Sequence, residues 1–337
     1  MDDDDGDLDI SQATNSAENT LVTGSFNEMA SLSRIGGPPL PAEINMKVPA
    51  NHFDFGAIFP QLSGLEEFHV CFKVKSCGID FRWNMFGITS KDADNLGAGL
   101  KICKKLRVLR VYNSKLDDDK MFSIYDGIKT LTHIEEVNFQ NNQLSDESAE
   151  TMSKLLSGTN PIKRLDLTNN KLSDKVARTI ADFLKSPQSK GRLEKLNLSL
   201  NSIKDEGCKA LAEAISNHST LHTLDLSSNY VTKASGEPLK SMIIKSPALK
   251  NLFLSCNPLK VEGCIKILEG VQTSSKIMKA DIRLTGCSRD VDLAIQQALK
   301  KNRFAVKKGP SFSSSSRSSS PSGHSSSTTK KYPYPKI

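Results

Sequence analysis

The sequence has no uninterrupted apolar run near the roughly 18 residues a membrane-spanning helix needs, so no transmembrane span is expected. It opens MDDDDGDLDI, with acids where a secretory signal carries a basic start and an apolar stretch, so export is not expected either. Cysteine is sparse: seven residues, an odd number with no CxxC pair, which fits a reducing compartment better than a disulfide framework. Glycine-rich phosphate loops, HExxH and GxSxG are absent. The six histidines lie at no motif spacing from a carboxylate or a nucleophile, and His218 at a helix end and His222 beside a strand read as solvated. Cys71 and Cys77 make a C-x5-C spacing with His69 nearby, but no matching second half completes a zinc site. Catalysis, cofactor and metal are therefore not expected.

What charge there is lies unevenly. The net +7 combines nine acids and two bases in residues 1–50 with nine bases and no acid in residues 300–337. Between Ser311 and Ser327, twelve of seventeen positions are serine, and TTKKYPYPKI follows. Neither end carries enough apolar surface to offset the entropy of ordering it, so both read as disordered. A basic, serine-rich tail suits contact with an acidic surface such as a tubulin lattice, which phosphorylation would weaken.

The middle of the chain is periodic. The pattern L-x-x-L-x-L-x-x-N-x-L begins at Leu106, Ile134, Ile162, Leu193, Leu221, Leu249 and Ile277, steps of 28 residues apart from one of 31. The longer step contains Ser186-Pro187-Gln188-Ser189-Lys190-Gly191, a surface-loop composition. The L-x-L core alternates with period two, so it predicts a short strand with one buried face. Asn142, Asn170, Asn201, Asn229 and Asn257 sit where the chain leaves each strand, and their amides can satisfy backbone groups of neighbouring turns as a ladder. Helical spacing follows, as in Ala149, Met152, Leu155 and Leu156, with Ser145-Asp146 and Ser173-Asp174 offering N-cap oxygens. A strand and a helix in each unit predict an α/β leucine-rich repeat solenoid, a horseshoe with parallel inner strands and outer helices.

Four regions follow: an acidic segment at 1–50, a capping region at 51–105, the array at 106–303 ending in a capping helix, and the tail at 304–337. The capping region holds an atypical strand at Leu65, Phe68 and Val70, then an insertion with the only tryptophan, then a helix including Leu96, Leu100 and Ile102. Gly127 and Gly158 fall near helix ends, where helix termination explains glycine. Register places Cys208 and Cys264 on core-facing helix positions.

With chemistry unsupported, the candidate site is the surface the solenoid presents. The residue between the two inward leucines of each strand points to the concave face, giving Arg110, Asn138, Asp166, Asn197, Asp225, Phe253 and Asp281. A row that is polar to acidic with one aromatic suits a protein partner with basic groups and argues against a nucleic-acid groove. Phe81, Trp83 and Phe86 in the insertion form a second candidate, as capping aromatics or as an exposed hot spot.

The copies KRLDLTNNKLSDKVARTIADFL and HTLDLSSNYV resemble the ribonuclease-inhibitor-like subclass of leucine-rich repeats. Upstream, KSCGIDFRWNMFGITSKDADNLGAGLKICKKLRVLRVYNSKLDDDK resembles the T-complex-associated testis-expressed protein 1 family, also called dynein regulatory complex subunit 5. The matching features are Cys77-Gly78, Phe81 and Trp83-Asn84, then Lys115-Leu116-Asp117-Asp118-Asp119-Lys120 entering a helix. That resemblance implies a non-enzymatic scaffold of the nexin–dynein regulatory complex in the axoneme of a cilium or flagellum, with the other subunits of that complex as partners. It implies no small-molecule substrate, no membrane and no specific nucleic acid. The repeats alone leave two alternatives, a cytosolic leucine-rich repeat adaptor and a Ran-type GTPase activator, the latter with Arg110 or Asn138 as its only candidate contact residues.

Overall fold

A computed structural model describes residues 54–62, 64–71 and 87–308, together with short strands at 10–11, 13–15 and 23–24. Eight parallel strands form the inner sheet: β4 (Leu65–Cys71), β5 (Val108–Tyr112), β6 (Glu136–Asn138), β7 (Arg164–Asp166), β8 (Lys195–Asn197), β9 (Thr223–Asp225), β10 (Asn251–Phe253) and β11 (Lys279–Asp281). After a short α1 (Phe55–Ile58), the outer helices are α2 (Ser90–Leu100), α3 (Asp118–Ile128), α4 (Ala149–Ser157), α5 (Asp174–Lys185), α6 (Asp205–Ile215), α7 (Gly236–Lys245), α8 (Lys260–Thr273) and α9 (Arg289–Lys308). Strand order follows chain order, so each unit pairs with its sequence neighbours. This is a leucine-rich repeat solenoid, and one continuous core runs along it between sheet and helices.

The register explains the periodicity. Leu109, Val137, Leu165, Leu196, Leu224, Leu252 and Ala280 are Cα partners across adjacent strands, all buried, so one column of apolar side chains lies beneath the sheet. Helices contribute the opposing wall through residues such as Met152, Ile180, Leu211, Met242 and Ile267. No unit buries its own apolar face, which makes the fold depend on neighbour contacts.

Two sets of side chains tie the units together. Asn170 donates through Nδ2 to the Phe139 and Leu167 carbonyls, both at 3.0 Å, and its Oδ1 accepts the Leu144 N–H at 3.0 Å. Asn142, Asn201, Asn229 and Asn257 make the same bonds one repeat apart. A second ladder runs along the helix N-termini. Asp118 accepts from the Ser145 N–H at 2.9 Å, Asp146 from Ser173 at 2.8 Å, Asp174 from Lys204 at 2.8 Å and Asp205 from Thr232 at 2.8 Å. Of the pairs expected to offer N-cap oxygens, Ser145 caps its own turn by accepting the Glu147 N–H at 3.2 Å, whereas Asp146 and Asp174 serve the following unit, and Asp174 also accepts from Gly207 inside the first turn of α6. The cause is geometric: each aspartate opens its helix beside the next repeat's incoming loop.

The residue before each ladder position turns through the left-handed region. Asn113, Asn141, Asn169, Leu200, Ser228, Cys256 and Leu284 have φ between 51° and 58°. Such a backbone costs most side-chain-bearing residues about 1–2 kcal/mol, and least for asparagine.

The ends differ from the interior. Thr89 caps α2 in a reciprocal box with Asp92, and the expected Ile102 lies in the turn beyond that helix, exposed. Gly127 is buried inside α3 and is not a terminator: a Cβ there would sit 2.3 Å from the Gly97 carbonyl oxygen, so α2 and α3 meet backbone to backbone. Within residues 1–50, β1 (Ile10–Ser11) pairs with β3 (Thr23–Gly24), and β2 (Ala13–Asn15) pairs antiparallel with β4 at the sheet edge. The last helix runs to Lys308, past its expected end, and Asn302 anchors it by donating to the Ser274 and Ile277 carbonyls. Phe81, Trp83, Phe86 and the tail beyond 308 lie outside the described residues.

Replacing Asn170 with alanine leaves buried backbone groups of two repeats without partners, so unfolding free energy should fall by about 1–3 kcal/mol. Chemical denaturation of the purified chain reads this directly, and an unmoved midpoint would show that the ladder contributes nothing.

Candidate interaction surface on the concave face

The concave row is continuous in space. Arg110, Asn138, Asp166, Asn197, Asp225, Phe253 and Asp281 are Cα partners strand by strand, and His69 on β4 extends the row by one position. All seven expected residues are half-buried, because the curvature of the sheet brings their side chains toward one another. His69 was missed by the periodicity, since its strand departs from the repeat spacing.

The row divides into two halves by charge. At its N-terminal end, Arg110 donates to Glu136 at 2.6 Å and Arg164 donates to the other oxygen of the same carboxylate. Burial would raise the Glu136 carboxyl, yet the hydrogen bonds from Arg110 and Arg164 hold it below the usual glutamate range. Arg110 also lies 3.0 Å from His69 Nε2. Burial first, and the Arg110 charge second, push the His69 imidazole down to about 4, so it is neutral at physiological pH and its Nε2 accepts from the guanidinium. No group of three metal-ligating side chains is gathered among the described residues, and Cys77 lies outside them.

The C-terminal half holds the acids. Asp166 accepts from the Thr168 N–H and hydroxyl at 2.9 and 2.6 Å, and Asp281 is clasped by Arg283 at 2.9 and 2.6 Å. Asp225 forms no salt bridge among the described residues, although Lys195 and Arg164 line one hollow with it. Burial raises the Asp225 pKa, the Ser227 N–H opposes that, and the charges of Asp166 and Asp281 on either side raise it further. The shallow hollow, of about 210 Å³, is lined by Glu136, Asp166 and Asp225, by the cations Arg164 and Lys195, and by Phe253, so its charged lining is acidic by one charge. A hollow with excess negative potential and an aromatic wall is chemically matched to an ammonium or guanidinium side chain.

Of the remaining candidates, Cys208, Cys264 and His218 are core residues. Cys208 and Cys264 are buried, and burial pushes the Cys208 thiol up to about 12. His218, expected to be solvated, is only 5% exposed: its Nδ1 accepts the Leu221 N–H at 3.2 Å and burial lowers its pKa. The three-residue insertion beside it folds as a short turn, Pro187–Ser189, whose Ser189 is buried. That packing covers the imidazole, a tertiary effect that no local spacing announces. His222 is half-exposed. No described helix is long and apolar enough to cross a membrane.

Fold and ladders together define a leucine-rich repeat protein, and the Leucine Rich repeat family model matches at residues 130–153 and 193–212. Among curated proteins, the chain is 35% identical over 98 residues to dynein regulatory complex subunit 5 of Macaca fascicularis and of Homo sapiens. The Mus musculus protein of the same name is 37% identical over 70 residues. The resemblance to that subunit read from the sequence therefore holds. The primate matches cover 29% of this chain, and the chain spans about a fifth of the length of those relatives. Two solved structures also match: an internalin from Listeria monocytogenes (20% identity, 60% of this chain, 55% of that chain, TM-score 0.40) and the tropomodulin C-terminal domain of Caenorhabditis elegans (12% identity, 66% and 97%, TM-score 0.30).

Because Asp225 has a raised folded pKa, ionising it costs the folded state once the pH exceeds the unfolded value of about 3.9. Asp225→Asn should therefore raise the melting temperature at pH 7, with the gain vanishing below pH 3.5, where both states are protonated. Equal gains at both pH values would place the effect outside the charge of Asp225.

Proposed function

We propose that this chain is a non-enzymatic scaffold of the axonemal dynein regulatory complex, helping to link doublet microtubules and regulate ciliary or flagellar motility. The observation that carries this reading is the similarity to dynein regulatory complex subunit 5, supported by a leucine-rich repeat solenoid that presents a continuous row of mostly polar side chains. The mechanism is rigid display. Cross-repeat ladders hold the concave row in fixed register, so a partner meets a preformed surface and loses little loop entropy on docking. The acidic hollow around Asp225 and Phe253 receives a basic side chain of another subunit, within a contact of about 800 Å² per partner. The basic tail adds a salt-sensitive contact with tubulin. In this reading the protein resides in the cytoskeleton of the cilium or flagellum.

Two measurements test this. Graded salt extraction of detergent-stripped axonemes should retain the protein on the doublets and release it with other regulatory-complex subunits. Recovery wholly in the soluble cytosol would overturn the axonemal reading. Separately, Phe253→Ala combined with Asp225→Lys should reduce capture of those subunits at least tenfold, with the circular dichroism spectrum unchanged. Unreduced capture would remove the concave hollow from the mechanism.

A further inference from the structure

The turn row described above changes character halfway along the array. In the first three units, Asn113, Asn141 and Asn169 occupy the left-handed position, and Asn169 donates to Asn141 at 2.9 Å. Asparagine is the side-chain-bearing residue best suited to that backbone. From the fourth unit on, the position holds Leu200, Ser228, Cys256 and Leu284. Leucine is poorly suited to a positive φ, and neither leucine packs against the core: Leu200 is 49% exposed and Leu284 is 84% exposed. Tyr230, 58% exposed, lies on the same rim, and its N–H donates to the Ile203 carbonyl of the loop that carries Leu200. These side chains sit in a disfavoured conformation, facing water, where a polar residue serves the fold better. Residues that break a local rule without benefit to the core mark sites selected for something else.

The surroundings say what covers them. Lys204, Lys260 and Arg289 follow the same loops, are exposed, and form no salt bridge among the described residues. The rim's backbone donors are already used: the N–H groups of Leu200, Ser228 and Cys256 bond the carbonyls of Ser227, Ser255 and Arg283 in the next unit. With these three N–H groups taken, strand addition along Leu200, Ser228 and Cys256 lacks its donors, and the occupant binds through side chains, as a helix does. From Leu200 to Leu284 the strip crosses three repeat spacings, about 15 Å at the strands, which about three turns of helix match.

We propose that the rim formed by Leu200, Tyr230 and Leu284 is a second docking surface, taking an amphipathic helix of a partner protein whose apolar face is flanked by carboxylates. The leucines and the tyrosine receive the apolar seam, and Lys204, Lys260 and Arg289 pair with the acidic flank. This surface lies beside the concave hollow and prefers the opposite charge, so the two faces select different partners. The chain's own basic tail is repelled from it. The inference stands independently of the axonemal reading.

The test uses the purified full chain and two synthetic helical peptides of about 14 residues with one leucine seam, one flanked by glutamates and the other by lysines. Fluorescence anisotropy should show the glutamate peptide binding at least tenfold more tightly. Leu200→Asn with Leu284→Asn should abolish that binding and leave the melting temperature unchanged or higher, since asparagine relieves the strained turns. Lys204→Glu with Lys260→Glu should reverse the peptide preference, whereas Asp225→Lys with Phe253→Ala should leave it unmoved. Equal affinity for both peptides, no binding of the glutamate peptide, or a lower melting temperature in the leucine double variant would each overturn the proposal. So would a concentration-dependent dimer lost in that variant, which makes the rim a contact between copies. Binding that appears only after removal of residues 1–50 would assign the rim to the chain's own acidic segment, again overturning it.

Discussion

A buried asparagine amide that bonds the backbone of two successive turns is the interaction on which the array depends. Each strand is only three residues long from β6 onward, too short to fix its register by backbone pairing alone. The amide supplies what the pairing lacks, because it satisfies a carbonyl of its own unit and both a carbonyl and an N–H of the preceding one in a dry environment. The amide gives way to hydroxyls at the two ends: Ser114 donates to the Tyr112 carbonyl and Thr285 to the Ile282 carbonyl. Aspartates at the helix starts repeat the device on the outer side, so strand and helix layers are each stitched separately.

This stitching makes the concave surface usable. A side chain on β7 keeps its distance from one on β9 because the intervening unit cannot slide. Asp225 keeps a raised pKa chiefly because the row is buried, and its acidic neighbours, held two strands away on either side, add to that. Preorganisation of this kind allows a shallow hollow to discriminate a cation without a deep pocket.

The strand and helix of each repeat were legible because they rest on residues that recur at fixed spacing and do one job each. Leu196 is buried under the sheet in every copy of its position, and Asn201 can serve only its own turn and the one before it. What escaped notice was chemistry between units. Asp146 reads as a cap for α4 and in fact holds the next loop; Gly127 reads as a terminator and is a contact; His218 reads as solvated and is covered by the inserted turn. In each case the partner lies about 28 residues away or in a departure from the repeat, where local pattern carries no signal. The exposed leucines at positive φ escaped for a related reason: alternation marks them as outward, but only the backbone angle shows that they are misplaced.

The backbone contact between Gly97 and Gly127 has a consequence for the shape of the arc. A horseshoe curves because helices on its outer rail need more room than strands on its inner rail, and the difference sets the bend per repeat. Where two helices touch without side chains between them, the outer rail is shortened and the bend relaxes. Gly207 against Asp174 and Gly236 against Gly263 bring later helices close in the same way, so an added methyl at any of these positions would wedge two helices apart and tighten the bend there.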